Sequence, residues 1–462
     1  MTTDLTPTRR GFLKSAAATS AVLAAGTALN AHAAGSDEIR VGIVGCGGRG
    51  RGACENVLSS AKGVKIVAAG DVFRDQIFGP ESRADTSPGG GGRRRRADGL
   101  VPALMDFVKG GKAKELGNSV DVPEDRCFVG LDAFEKVIGC HEVNYVMLAT
   151  PPGFRPLHIQ AAVAAGKNLF SEKPVGVDGT GIRKVLAAYD EALKKGLKIV
   201  TGTQRRHQLG YVETMKRVHD GDIGEITALR VYWNGHGIWF HDRKPDMTDV
   251  AYQLKNWYHF LWTCGDHIVE QHIHNLDVAN WAMNGHPLWC DGAGGRTPGN
   301  KAGGRLDGPP EVVGQIYDHF SIDYVYPNDV HMYSTCRHIP ACTPNVTEAI
   351  VGSNGTCHAN EYRIRNRRIL SRDQDRASTD PYVQEHTDLI GHIRSDKPVN
   401  ELKQVAESTL TAIMGRMSAY TGQRVKWEQA LNTKEDTFPK DLTWDMHLPV
   451  GPVPHPGLTK LV

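Results

Sequence analysis

The chain has 462 residues, 40% of them hydrophobic and 23% charged, enough for a large apolar core and for two domains or more. The formal charge is only +2, and residues 1–33, with Arg9, Arg10 and Lys14 against Asp4, account for that excess, so the balance gives no sign of a nucleic-acid-binding surface. Nine scattered cysteines without a CxxC pair argue against a disulfide framework and against a thiolate zinc site.

The first segment reads as an address. Paired arginines in "TRRGFLK" (Thr8–Lys14), a mildly apolar alanine-rich run and the small-x-small signal "AHA" (Ala31–Ala33) are similar to a bacterial twin-arginine signal peptide over residues 1–33. The mature chain is then expected to start near Ala34, in the periplasm. Elsewhere no stretch reaches the ~18 apolar residues needed to span a bilayer, and no membrane association is expected. The twin-arginine route carries folded proteins, commonly ones already loaded with a cofactor.

From Ile39 short apolar strands alternate with helical stretches. "IRVGIVG" and "VKIVAAGD" are buried-strand runs, and "VNYVMLAT", "KNLFSEK" and "LKIVTGT" follow them. The helical patterns "RPLHIQAAVAAG" and "GIRKVLAAYDEALKKG" separate the later ones. This order predicts a doubly wound parallel sheet over residues 37–206. A glycine- and arginine-rich stretch at about 79–118 reads as a surface insertion, with the Arg93–Arg96 run as a solvated loop. After about Arg206 the pattern changes to residue-by-residue alternation in "FSIDYVY" and "VHMYSTC", joined by a "PND" turn, and "EAIVGSNGTCHA" adds a further strand pair. Residues 207–431 are therefore expected to form an α+β domain with a large, mostly antiparallel open sheet. Its last helix, "ESTLTAIMGRMSAYTG", packs back on the first domain, and 432–462 is left as a tail.

The first strand runs into "GIVGCGGRG", which contains Gly45-x-Gly47-x-x-Gly50, and Asp71 stands twenty-one residues beyond Gly50 at the end of the second strand. A lone GxGxxG says little. At a strand-to-helix turn with an acid at this distance it reads as a dinucleotide site. The turn Gly45, Gly47, Gly48, Arg49 and Gly50 would let the backbone approach a pyrophosphate at a helix N-terminus. Asp71 would accept the ribose hydroxyls and repel a 2′-phosphate, which favours NAD, while Arg74 nearby keeps NADP open.

With "ATPPGFRPLH" (Ala149–His158) after the fourth strand and "SEKPVG" (Ser171–Gly176) after the fifth, the chain resembles the Gfo/Idh/MocA oxidoreductases, relatives of glucose–fructose oxidoreductase and inositol dehydrogenase. The resemblance runs from Ile39 to about Leu431. It implies a Rossmann domain followed by an open-sheet domain, with Lys173 as the catalytic lysine beside the nicotinamide. It also implies that Glu172, Thr150, Pro151 and His158 line the cofactor, and that the subunit forms a homodimer or homotetramer through the open sheet.

The resemblance further calls for an acid and a histidine four positions apart on a helix of the second domain. "GDHIVEQHIHNLD" (Gly265–Asp277) offers Glu270 and His274, with glutamate where aspartate is usual. On a continuous helix the two share a face. The chemistry fits: oxidising a secondary alcohol sends a hydride to the nicotinamide and a proton to a base. His274 titrates near neutrality without help, and a lysine, ordinarily near pKa 10.4, has to be lowered by burial and neighbouring charge to act there. His267, Glu270 and His274 also fall on one stripe, but the spacing is not HExxH and nothing completes a ligand set, so no metal is expected. The aromatic and polar residues upstream, His236, Trp257 and Tyr258 together with His267, suit the apolar faces and hydroxyl edges of a sugar.

The expected activity is a NAD-dependent oxidoreductase acting on a secondary alcohol of a carbohydrate or polyol, with the cofactor tightly bound. The alternative is a NAD-dependent glycoside-cleaving enzyme that oxidises the sugar transiently at C3, eliminates the substituent and shows no net redox change. A non-catalytic sugar or nucleotide sensor on the same fold is a third reading, weakened by the intact Lys173, Glu270 and His274 set.

Overall fold

The computed structural model describes residues 37–80, 98–297 and 308–462; residues 1–33, expected to be a signal peptide, and the Arg93–Arg96 run lie outside the described residues. Both sheets belong to the compact unit Ile39–Val462.

The first sheet is built from β1 (Ile39–Val44), β2 (Val64–Asp71), β3 (Ser119–Val120), β4 (Cys127–Val129), β5 (Tyr145–Leu148), β6 (Asn168–Ser171) and β7 (Ile199–Thr201). Its order is β3-β2-β1-β5-β6-β7, with β4 also on β2, and every pairing is parallel. Helices cover both faces, so the central strands are apolar throughout rather than alternating; β5 and β6 are buried at all four positions. The flanking helices used below are α1 (Gly48–Leu58), α2 (Leu100–Phe107), α3 (Arg155–Ala164) and α4 (Gly179–Lys194). α4 starts where Asp178 accepts the Gly181 N–H at 2.7 Å, an N-cap. Its inward stripe is Ile182, Val185, Ala188 and Ala192, at helical spacing.

The expected surface insertion is only partly that. Residues 81–97 are outside the described set, but α2 buries Leu100, Val101 and Leu104 in the core beneath β1 and β2. The apolar residues recur at helical spacing there, and the glycine-rich run in front of them obscures the signal.

The second sheet has the order β15-β14-β13-β12-β8-β11-β10-β9-β16. Its strands are β8 (Ile226–Gly235), β9 (Trp289–Gly295), β10 (His319–Tyr326), β11 (Val330–His338), β12 (Asn345–Gly352), β13 (Gly355–His358), β14 (Arg363–Ile364), β15 (Arg367–Arg368) and β16 (Val425–Lys426). Burial alternates along β11, where Met332 is fully buried and Tyr333 is 48% exposed, so one face packs and the other is wet. The sheet is mixed because β8 inserts between β11 and β12: it runs parallel to β11 and antiparallel to β12. Alternation tells which face a residue takes, not which strand lies beside it. The "PND" turn joins β10 to β11, with Asn328 and Asp329 at positive φ.

Against the packed face lie α5 (His267–Glu270) and α6 (Ile273–Met283), while α7 (Pro381–Arg394) and α8 (Leu402–Thr421) carry the chain back toward the first sheet. Leu389 and Ile390 of α7 belong to the same core as Val41, Ile43, Phe170 and Val200. α8, buried along most of its length, joins α4, α6 and β9 in the central core.

One polar clamp ties these layers. The Asp277 carboxylate on α6 accepts both Nε–H and Nη2–H of Arg206 at 2.9 Å and the Ser408 hydroxyl of α8 at 2.8 Å. Both charged side chains are buried or nearly so. Asp277→Ala leaves Arg206 without its counter-charge, and removing one partner of a buried pair costs about 3–5 kcal/mol. Denaturant melts should show a loss of that size, and a smaller one for Asp277→Asn.

Candidate active site

The Gly45–Gly50 turn leaves β1 at the carboxyl edge of the first sheet, where β2 and β5 diverge to either side of β1. In an open parallel sheet this is where ligands bind. The four glycines divide into two kinds. At Gly45, with φ +95°, a Cβ would stand 2.7–2.8 Å from the Ala149–Thr150 backbone, and at Gly50 it would stand 1.8 Å from the Gly45 carbonyl oxygen. Those two glycines serve the fold. A Cβ at Gly47 meets only Gln76 Oε1 at 3.6 Å, and at Gly48 it meets nothing within 4 Å. No atom of the protein requires glycine there. The turn opens on free space at the N-terminus of α1, which has no side-chain cap and no acid in its first turn, and backbone N–H groups at such an end suit a pyrophosphate.

Asp71 closes the far side of this turn. Its carboxylate accepts the Cys46 N–H at 2.7 Å and the Phe73 N–H at 2.9 Å. Burial raises its pKa to about 6, against the opposing pull of those two N–H groups. Each oxygen keeps a lone pair for a ribose hydroxyl. Arg74 lies with its guanidinium 4.6 Å from the Phe78 ring.

The turn after β6 carries Glu172 and Lys173. Arg49, from the first turn of α1, donates Nε–H to Glu172 and comes within 4.0 Å of Glu385 on α7. A Cβ at Gly202 would lie 2.5 Å from Glu172 Oε2, so that glycine makes room for the carboxylate. Burial pushes Glu172 up, but the charges of Arg49, Lys173 and Arg155 outweigh it and hold the carboxyl below its usual range. Glu385 goes the other way, well above the usual range, through burial and then the charge of Glu172. Arg155 had no role in the sequence reading. It is buried and donates to the Lys173 carbonyl at 2.7 Å, the Pro174 carbonyl and the Thr150 carbonyl at 2.6 Å, so it locks the "TPP" turn to the "EKP" turn. Pro151 lies half-buried in the first of these.

His158 stands behind that wall. Its Nδ1 faces the Thr150 hydroxyl at 3.3 Å and its ring stacks on Phe134. Burial and then Arg155 lower its pKa to about 3. It is a neutral buried ring that orients Thr150.

Lys173 reaches across to the second sheet's helices. Its ammonium donates to the Glu270 carbonyl at 2.7 Å and to Glu270 Oε1 at 3.0 Å, both side chains being buried. The neighbouring charge it meets is thus a carboxylate. Glu270 and His274 do not share one continuous helix: α5 ends at Glu270, Gln271 and His272 form a turn, and α6 begins at Ile273. The His272 N–H bonds five residues back to His267, whereas the Asn275 N–H bonds three back to His272. His274 is buried, its ring stacked 5.6 Å from Trp233. The expectation that it titrates near neutrality is overturned: burial, then the charges of Lys173, Arg205 and Arg49, depress it well below the usual histidine range. It is a neutral imidazole.

The remaining candidates separate. Tyr258 is buried with its hydroxyl 3.1 Å from His338 Nε2, and His338 Nδ1 donates to the His236 carbonyl at 2.7 Å, which makes the Tyr258 hydroxyl the donor to Nε2. Burial and then Glu270 raise the Tyr258 phenol well above its usual range. Trp257 is half-buried beside the exposed Trp239, ring centroids 6.0 Å apart, and the His236 side chain is exposed. His267 is withdrawn into the core, 1% exposed, edge-on to Phe320 and His338. His338, which ends an alternating strand and belongs to no motif, escaped the sequence reading. Among the described residues no group of three His, Cys, Asp or Glu side chains could hold a metal ion. No helix there is long and apolar enough to cross a membrane, and all nine cysteines are free.

No family model matches the chain. The inositol 2-dehydrogenase of Klebsiella pneumoniae (strain 342) is 27% identical over 192 residues, 41% of this chain and 50% of that protein. A glycosyl hydrolase family 109 protein of Streptomyces coelicolor is 24% identical over 219 residues, 47% of this chain and 38% of that protein. The chain spans about half the length, or less, of these curated relatives. Among solved structures, scyllo-inositol dehydrogenase from Lactobacillus casei with bound NAD(H) and scyllo-inositol superimposes with a TM-score of 0.57 at 17% identity, over 85% of this chain and 99% of that one. The fold is therefore shared with that dehydrogenase: a Rossmann domain followed by a mixed, mostly antiparallel open sheet.

The two kinds of glycine give a direct test. Gly50→Ala drives a Cβ into a backbone carbonyl and should cost about 2 kcal/mol or more. Gly48→Ala meets open space on a helix and should leave the thermal midpoint unchanged or slightly raised.

Proposed function

We propose that this chain is a NAD-dependent oxidoreductase acting on a secondary alcohol of a polyol or carbohydrate. The observation that carries the reading is the buried Lys173–Glu270 pair, set at the sheet's carboxyl edge beside a glycine turn whose open side the protein leaves unfilled. The similarity to inositol 2-dehydrogenase and to a fold that binds NAD(H) and scyllo-inositol in one neighbour supports the same reading. Gly47, Gly48 and the N-terminus of α1 would hold the pyrophosphate, Asp71 the adenosine ribose, and Thr150, Pro151, Arg49 and Glu172 the edge toward the reacting end.

A bound nicotinamide supplies the acceptor for the hydride leaving the alcohol carbon. The chain's own residues manage the hydroxyl proton. Lys173 has three N–H donors; two are spent on Glu270, and the third is free to donate to the alcohol oxygen and stabilise the charge that develops there. His274, neutral, can accept a hydrogen bond from the hydroxyl and take its proton only in passing, since burial and the charges of Lys173, Arg205 and Arg49 disfavour its charged form. Trp257 and Tyr258 border the approach, where an aromatic face suits a ring's C–H surface. Export by the twin-arginine route belongs to the same proposal: a cofactor loaded in the cytoplasm and kept bound through catalysis lets the enzyme work where free NAD is scarce. So does assembly as a homodimer or homotetramer. The glycoside-cleaving alternative rests on a relative matched over a smaller share of its length and is the less supported reading.

The test is to incubate the purified protein with inositols, free sugars and aryl glycosides, without added NAD, and to analyse the products. Keto or lactone products with reduction of bound cofactor fit the oxidoreductase, whereas free aglycone without any oxidised sugar would replace it with cleavage. Lys173→Ala should abolish turnover with dinucleotide still bound, and His274→Ala should lose on the order of 10²–10⁴-fold in kcat.

The Asp71 carboxyl sets a pH dependence. Only its ionised form accepts both ribose hydroxyls, and its pKa is raised to about 6. Titrations of NAD binding should show full affinity above that value and a loss as pH falls through it. Asp71→Asn should bind more weakly with that dependence gone.

A further inference from the structure

The tail behind β16 turns at Trp444–Asp445, where the Met446 N–H bonds to the Thr443 carbonyl at 3.2 Å, and its burial alternates residue by residue from Asp441 to Val450. Leu442, Trp444, Met446, Leu448 and Val450 turn inward and pack on an apolar cluster that includes Phe154, Tyr252, Phe260 and Trp262, with Val72 and Phe73 at its edge. The alternation resembles that of a strand on a surface, yet the segment pairs with no sheet and is broken by the turn that carries Trp444. Side chains hold it instead.

Its path is pinned on both halves of the molecule. On the Rossmann side, Asp178 Oδ2 accepts the Thr437 N–H and hydroxyl, both at 2.7 Å, and Phe438 stands edge-on to Phe154. On the other side, Asp249 Oδ2 accepts the Leu448 N–H at 3.1 Å and faces His447 Nδ1 at 2.7 Å. Gln253 donates to the Leu448 carbonyl at 2.7 Å, and the Tyr317 hydroxyl donates to the Pro454 carbonyl at 2.8 Å. Between these anchors Trp444 rests against Phe73, ring centroids 5.9 Å apart. Phe73 is itself fixed, since its N–H is held by Asp71, the carboxylate at the ribose position, and Lys255 lies over its ring at 4.0 Å while pairing with Asp75.

We infer that Trp444, carried on this strap, closes the adenosine end of the dinucleotide site, so that the chain retains its cofactor with its own C-terminal segment. The inference rests on the dinucleotide reading above: with the ribose on Asp71, the purine it carries comes within reach of Phe73, two residues on and bonded to the same carboxylate. The Phe73–Trp444 corner offers it aromatic surface. Release of the cofactor then requires the strap to peel from the cluster, and the anchors to Asp178 and Asp249 oppose that.

The experiment follows the release of NAD(H) from the purified full-length holoprotein after a large excess of a competing dinucleotide analogue is added, with nicotinamide fluorescence as readout. Trp444→Ala should speed release by about tenfold or more, the loss of one aromatic contact plus its buried area, and Trp444→Phe should restore most of the retention. His447→Ala cuts only an exposed anchor and should speed release several-fold, which keeps the test open should Trp444→Ala fail to fold. Folded variants that release cofactor as slowly as the parent would overturn the strap's role. A parent protein that binds no dinucleotide at all would overturn the site reading itself, a distinct result.

Discussion

An ammonium removed from water must find a counter-charge, and the Lys173–Glu270 pair satisfies that requirement across the two halves of the molecule. The lysine belongs to the turn after β6, the glutamate to the end of α5. Neither half alone supplies both groups, so correct docking of the halves and assembly of the site are the same event. Arg155 stiffens the lysine's turn by filling three carbonyl acceptors, and Arg206 with Asp277 and Ser408 stiffens the glutamate's neighbourhood. These hydrogen bonds hold the reacting groups from both sides, although Arg155 Nε and Glu270 Oε2 find no hydrogen-bond partner among the described residues.

The cluster of Arg49, Glu172 and Glu385 shows the same constraint with the count unbalanced. Two buried carboxyls face one guanidinium. Burial raises both, the cations bring Glu172 back below the usual range, and Glu385 absorbs the difference by holding its proton. Neither Glu385 oxygen has a hydrogen-bond partner among the described residues. A neutral carboxyl tolerates that position where a carboxylate would not. Within this cluster Glu172 is the carboxyl that the cations hold below its usual range.

Much of this was readable from the chain because it depends on local rules. The Gly45–Gly50 turn, the acid at Asp71 and the "EKP" turn follow from backbone sterics and strand ends, which short motifs encode. Alternation in "FSIDYVY" and "VHMYSTC" identified the faces of the second sheet. What escaped depends on partners distant in sequence. β8 sits between β11 and β12, and no pattern within β8 says so. The break between α5 and α6 at Gln271–His272 leaves no proline or glycine as a marker. His274 was expected to titrate near neutrality, but its state is set by Lys173, Arg205 and Arg49, which come from other elements. His338 and Arg155 matter through hydrogen bonds that only the folded chain creates. The strap at 441–450 was legible in its alternation, but a tail is easily passed over when no sheet awaits it.

The return of α7 and α8 to the first sheet has a consequence for how the protein is made. Leu389 and Ile390 complete the core around Val41, Ile43 and Phe170, and Ile199 of β7 bridges to Asn400. While the chain is still emerging from the ribosome, the Rossmann half has its strands but lacks these covers, and it presents apolar surface until almost the whole sequence has been synthesised. Large chains with such long-range closures fold late and are exposed to aggregation meanwhile. Completion of the Rossmann core therefore waits for α7 and α8, far along the chain.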